Sequence, residues 1–132
     1  MKNTLFICIG FIALLGTDVC AGINGKYKVK GTERYYGSKY SFQGSVSVTG
    51  YNSGSFKIDY NDGDRSDGTY KLNFDTPLKE TRKKQTVTCT WREAGYNGTA
   101  TLTFKGTGGG YSVDFTYKAT GASVRGTGSG SK

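Results

Sequence analysis

From position 25 onward apolar and polar residues alternate one by one through almost the whole chain, and that period of two leaves a helix no face to bury. In extended backbone successive side chains point to opposite sides, so such a pattern makes one dry face and one wet one. The alternation predicts eight strands, at about 25–31, 39–49, 54–60, 67–74, 84–93, 97–105, 110–118 and 122–128. The expected inward set is Tyr27, Val29, Phe42, Val46, Val48, Phe56, Ile58, Tyr60, Tyr70, Leu72, Phe74, Val87, Cys89, Trp91, Ala100, Leu102, Phe104, Tyr111, Val113, Phe115, Tyr117 and Val124. Between them stand hydroxyls and charges, as in Ser45-Val46-Ser47 and Thr88-Cys89-Thr90.

Sheets with one buried face are antiparallel, and their exposed edges are removed by closing the sheet or folding it over. The expected class is all-β: a single antiparallel meander of about eight strands, closed or strongly curved into a small β-barrel or two-layer sheet. An internal duplication supports it. Phe42-Gln43-Gly44-Ser45-Val46-Ser47-Val48 aligns with Tyr96-Asn97-Gly98-Thr99-Ala100-Thr101-Leu102, Phe56-Lys57-Ile58-Asp59-Tyr60 with Tyr111-Ser112-Val113-Asp114-Phe115, and Gly68-Thr69 with Gly126-Thr127. One copy covers about 25–74, a joint about 75–84, the second copy about 85–128, and a Gly/Ser tail at 129–132 is expected to fray. The stretches Asn61-Asp62-Gly63-Asp64 and Gly106-Thr107-Gly108-Gly109-Gly110 suit tight hairpins that need positive φ. The pattern Tyr40-x-x-x-Gly44-x-Val46-x-Val48 followed by Phe56-x-Ile58-x-Tyr60 resembles small extracytoplasmic β-repeat proteins of bacteria, a resemblance that implies no site.

The first 21 residues read as a targeting segment. A short basic start, an apolar run from Leu5 to Gly16 and Val19-Cys20-Ala21 predict a signal peptide cut after Ala21, leaving one domain at 22–132 and no transmembrane span. The chain is then expected to be secreted or periplasmic. Cys8 and Cys20 leave with the signal, and Cys89, sharing a face with Val87 and Trp91, is expected to be a buried thiol. Cleavage at Gly16 would instead permit a Cys20–Cys89 disulfide.

Chemistry is bounded mainly by what is missing. The chain has no histidine, which excludes His-based triads, proton shuttles and His-ligated zinc. Asp59, Asp62, Asp64 and Asp67 crowd one hairpin, but their spacing fits neither a calcium loop nor the facing carboxylates of a glycosidase. No catalytic activity, metal or cofactor is expected. Asn97-Gly98-Thr99 has the form of a glycosylation sequon.

Formal net charge is +8, which favours anionic company. Two surfaces are candidates. The segment 31–40, read as a loop, sets Tyr35 and Tyr36 beside Arg34 and Lys39, with Tyr51 at the tip of the next hairpin; rings that stack and cations that pair anions suit a ligand there, unless Tyr36 and Tyr40 simply cap the open end of the barrel. The joint carries Lys79, Arg82, Lys83 and Lys84, either a solvated loop or a docking patch. The leading expectation is a non-catalytic binding module for an anionic polysaccharide or cell-envelope component. The alternative is a structural protein that docks an acidic partner through the joint. Nucleic acid is not expected, since no motif for it is present.

Overall fold

The computed structural model describes residues 22–61, 66–93 and 95–132. The expected signal peptide, with Cys8 and Cys20, lies outside the described residues, as do Asp62, Asp64 and Arg65 of the aspartate-rich hairpin. Eight strands follow one another in the chain: β1 (Gly25–Tyr35), β2 (Ser38–Thr49), β3 (Ser53–Tyr60), β4 (Gly68–Phe74), β5 (Gln85–Glu93), β6 (Tyr96–Thr107), β7 (Gly110–Ala119) and β8 (Val124–Ser131). Each pairs antiparallel with its neighbour in sequence, and β8 returns to β1, so the meander closes into a barrel. Closure removes the two free edges that an open sheet would present to other chains.

Alternation decides the two faces. Tyr27, Phe42, Val46, Ile58, Leu102, Phe104 and Val113 are essentially inaccessible, and Phe56, Leu72, Val87, Cys89, Trp91 and Phe115 complete the core with them. Aromatic rings cross the lumen. Phe56 lies 5.2 Å from Phe115 and 5.6 Å from Tyr117 between centroids, Phe42 touches both Phe56 and Phe115, and Tyr70 meets Trp91 edge-on at 5.2 Å. Such pairs add about 0.5–1.5 kcal/mol each beyond the area they bury. Ser45 points outward yet is buried, because it sits in register between Lys28 and Lys57 on the flanking strands.

Three sequence expectations give way. The segment 31–40 is not a loop: β1 runs on to Tyr35 and β2 starts at Ser38, leaving Tyr36 and Gly37 as a two-residue turn. Both have positive φ, 49° and 90°, the backbone of the tight hairpin whose twist matches that of its strands. Left-handed residues occur at Gly50, Tyr51, Gly95 and Gly121 as well, and not within 106–110.

The Gly/Ser tail does not fray either. Residues 129–131 belong to β8, which pairs with β1 from Val124 to Ser131 and with β7 from Arg125 to Ser131. Gly-Thr-Gly-Ser-Gly-Ser is itself a period-two strand whose inward positions carry no side chain. The reason is space. A Cβ on Gly126 would lie 2.4 Å from the Tyr117 ring, and one on Gly128 would lie 2.5 Å from both the Phe115 ring and the Lys30 carbonyl oxygen. Large rings on β7 occupy the volume that β8 leaves empty.

The joint at 75–84 folds across one end of the barrel. Leu78 is buried, its N–H donates to the Tyr51 carbonyl at 2.7 Å, and the Asp75 N–H donates to Thr88 at 2.9 Å. Glu80 is the fastening. It accepts from the Ile23 N–H at 2.8 Å, the Tyr111 hydroxyl at 2.9 Å and the Tyr51 hydroxyl at 3.1 Å. Ile23, fully buried, takes a 2.6 Å hydrogen bond from the Tyr27 hydroxyl on its carbonyl. The Lys132 N–H reaches Tyr111 at 3.1 Å and its ammonium donates to the Asn24 carbonyl at 2.6 Å, so both flanks of the described chain meet in this base.

Candidate functional site

With the base filled, the opposite end is the one left open. There the ends of β1, β3, β5 and β7 and the starts of β2, β4, β6 and β8 surround a mouth, and below it lies a cavity of about 390 Å³. Its floor and wall are Val46, Phe56, Ile58, Leu72, Trp91, Ala100, Leu102 and Phe115; Tyr35, Tyr70, Tyr96 and Tyr117 stand higher, with Glu33, Asp67 and Glu93 among them. An eight-stranded barrel is just wide enough either to fill itself with side chains or to hold one small molecule. Here side chains fill the base and a cavity remains above them.

Polar groups converge at one point in the cup. Glu33 is 3% exposed, and its Oε1 accepts a 2.7 Å hydrogen bond from the Tyr60 hydroxyl and another of 2.7 Å from the Tyr117 hydroxyl. Asp67 accepts from the Tyr60 N–H at 2.9 Å and so ties the end of β3 to the approach of β4. Burial, helped by the bond and the charge of Glu33, holds the Tyr117 phenol far above the ordinary tyrosine range. Both phenolic protons are directed at the same carboxylate oxygen, Glu33 Oε1.

The residues singled out by sequence part company here. Tyr35 turns inward and lines the cup, while Tyr36 stands 62% exposed at the hairpin tip with its ring 4.8 Å from that of Tyr35. Arg34 and Lys39 face outward on β1 and β2, and the Arg34 guanidinium donates to the Gly37 carbonyl at 3.3 Å. Tyr51 is at the other end of the barrel, against Glu80, and shares no surface with Tyr35 or Tyr36. Hairpins alternate between the two ends of a meander, which is why consecutive turns cannot form one site.

The joint is not a uniform cationic patch. Arg82 donates to the Thr107 carbonyl and, at 3.3 Å, to that of Gly110, with its guanidinium 5.5 Å over the Tyr111 ring. Lys79 exchanges backbone bonds with the Gln85 side chain at 2.7 and 2.8 Å, whereas the Lys83 and Lys84 side chains are exposed. Cys89 is buried and free, its thiol pushed up to about 12 by burial and then by Asp75, so it holds its proton and is a poor nucleophile. Among the described residues no group of three potential ligands is placed to hold a metal ion.

Sequence reasoning missed Glu33 although the signal was there. Continuing the inward positions Tyr27 and Val29 past Gly31 lands on Glu33 and then Tyr35. It also missed Ile23 and Leu78, which lie outside any alternating run and are buried by the base alone.

Buried phenols and the buried thiol set the alkaline edge of stability. Tyr111 is pushed up to about 12, by burial first and then by its bond to Glu80, from an ordinary value of 10, and Cys89 reaches about 12 from 9. Above those ordinary values the unfolded chain releases protons that the folded chain keeps. Stability is therefore full below about pH 9 and is lost as pH rises toward about 12. Urea midpoints should fall steadily between about pH 8 and about pH 11; a flat profile would contradict the burial of these groups.

No protein family, no curated protein and no solved structure matches this chain.

Proposed function

We propose that the protein is a non-catalytic binding barrel whose cup takes one small, largely apolar molecule with a hydrogen-bond donor at its polar end. The observation that carries this reading is the cup itself: about 390 Å³, walled by rings and aliphatics, with the buried Glu33 carboxylate, bonded by the Tyr60 and Tyr117 hydroxyls, among its lining. Sites for small molecules have this make-up, an apolar pocket of about 300–1,000 Å³ with a few placed polar groups. An anionic ligand suits the cup poorly, since Glu33, Asp67 and Glu93 line it and the cations of β1, β2, β7 and β8 point away.

Trp91 is the chain's one tryptophan and lines the cup, so it reports occupancy. Titration with a medium-chain alkanol should shift its emission saturably. The methyl ether of the same alkanol, which lacks the donor, should bind roughly three- to tenfold more weakly, the worth of one hydrogen bond. Emission unmoved by either probe overturns the cup as a binding site, and equal affinity for both overturns the role of the Glu33 carboxylate.

A further inference from the structure

On the outer wall, register brings together cations that are far apart in sequence. Arg34 on β1 lies directly opposite Lys39 on β2 and directly opposite Arg125 on β8, and Arg125 lies opposite Lys118 on β7. The result is an unbroken row, Lys39–Arg34–Arg125–Lys118, across four adjacent strands at steps of about 4.8 Å. All four are exposed, and none is paired with a carboxylate among the described residues. Like charges directly opposite each other oppose strand pairing. Three such pairs in succession are a standing cost that a bound polyanion would relieve.

The neighbouring row is made of hydroxyls. Ser41, Thr32, Thr127 and Thr116 follow one another across the same four strands, one position deeper along the barrel. Two shallow grooves run over these rows, bordered by Thr32, Arg34, Lys39, Lys118, Arg125 and Thr127. At the edge of the row stands Tyr36, exposed and held at φ 49°, a conformation uncommon for a residue other than glycine.

We infer that this outer row binds a linear anionic polysaccharide, carboxylated or sulfated, independently of the cup. Shape favours a flexible polymer over a membrane: the row bends around three of the eight inter-strand steps of a closed barrel, so a flat bilayer meets only part of it. Chemistry favours sugar over nucleic acid. Hydroxyls beside each cation match the hydroxyls beside each charge of an acidic sugar, whereas single strands need several stacking rings and Tyr36 is the one exposed ring beside this row among the described residues.

The test compares two variants of equal charge in the full chain. Arg34→Gln, Lys39→Gln, Lys118→Gln and Arg125→Gln together remove the row; Lys71→Gln, Lys79→Gln, Lys83→Gln and Lys84→Gln together remove as many charges elsewhere. Probes are polygalacturonate, its methyl ester, phosphatidylglycerol vesicles and oligo-dT. The unaltered chain should bind polygalacturonate in a salt-sensitive way and its neutral ester hardly at all. Loss of the row should weaken that binding about tenfold or more, each lost contact with a charged group contributing, while the second variant changes it less than about threefold. The row variant should also unfold at a higher urea concentration than the unaltered chain, since its like-charge pairs are gone. Equal weakening in both variants, or stronger capture by vesicles or oligo-dT than by polygalacturonate, overturns the assignment.

Discussion

A chain that stops at Val124 should lose its cooperative fold altogether. Removing the rest of β8 strips β1 and β7 of the partner that each meets over most of its length, exposing edges at Lys28–Arg34 and Ser112–Lys118, seven residues each. It also uncovers Phe115 and Tyr117, whose rings lie against the inward glycines of β8. Long bare edges beside newly exposed rings favour pairing between molecules. The truncated chain should therefore give a denaturant curve without a single sharp transition and should aggregate on concentration. A sharp, full-sized transition from the shortened chain would mean that β8 is a passenger on the barrel rather than its closing stave.

Glu80→Ala should be the costliest single change at the base. It takes the acceptor from the buried Ile23 N–H and from two hydroxyls, those of Tyr111 and Tyr51. Hydrogen bonds to a charged group are worth about 1.5–3 kcal/mol each, and a buried donor left without a partner adds its own desolvation penalty. Allowing for water reaching the more exposed Tyr51, a net loss of about 3 kcal/mol is expected, or a fall in Tm of roughly 10–15 °C. Glu80→Gln, which keeps an acceptor oxygen, should lose about half as much. Lys83→Ala in the same joint should stay within about 0.5 kcal/mol, as exposed surface changes do. Calorimetry on the three variants checks the order, and equal effects for Glu80→Ala and Lys83→Ala would show that the joint does not fasten the base.

The strands were legible because alternation is a local property. Val87, Cys89 and Trp91 point the same way whatever they pair with, so the inward set could be drawn from the chain alone. What depends on register could not. Arg34 and Lys39 face each other across a two-residue turn and stand close in sequence, but Arg125 and Lys118 join them only when β8 meets β1. The cup was half legible: Phe56, Tyr70, Trp91, Phe115 and Tyr117 were expected inside, while the place where the lumen stops being filled depends on which end the joint covers. Glu33 is hard to read as a lining residue because a carboxylate suggests the wet face. Glycine and serine suggest a frayed tail by composition, whereas their strict alternation is what places residues 129–131 in β8.

The barrel is fastened at one pole and open at the other. On the proposed function, a molecule taken into the cup would leave by the opening through which it arrived, so its residence time would be governed by the rim rather than by the floor beneath. Substitutions around Glu80 can then harden or soften the whole vessel without reshaping its lumen, and substitutions at the rim can retune its contents without loosening the stopper.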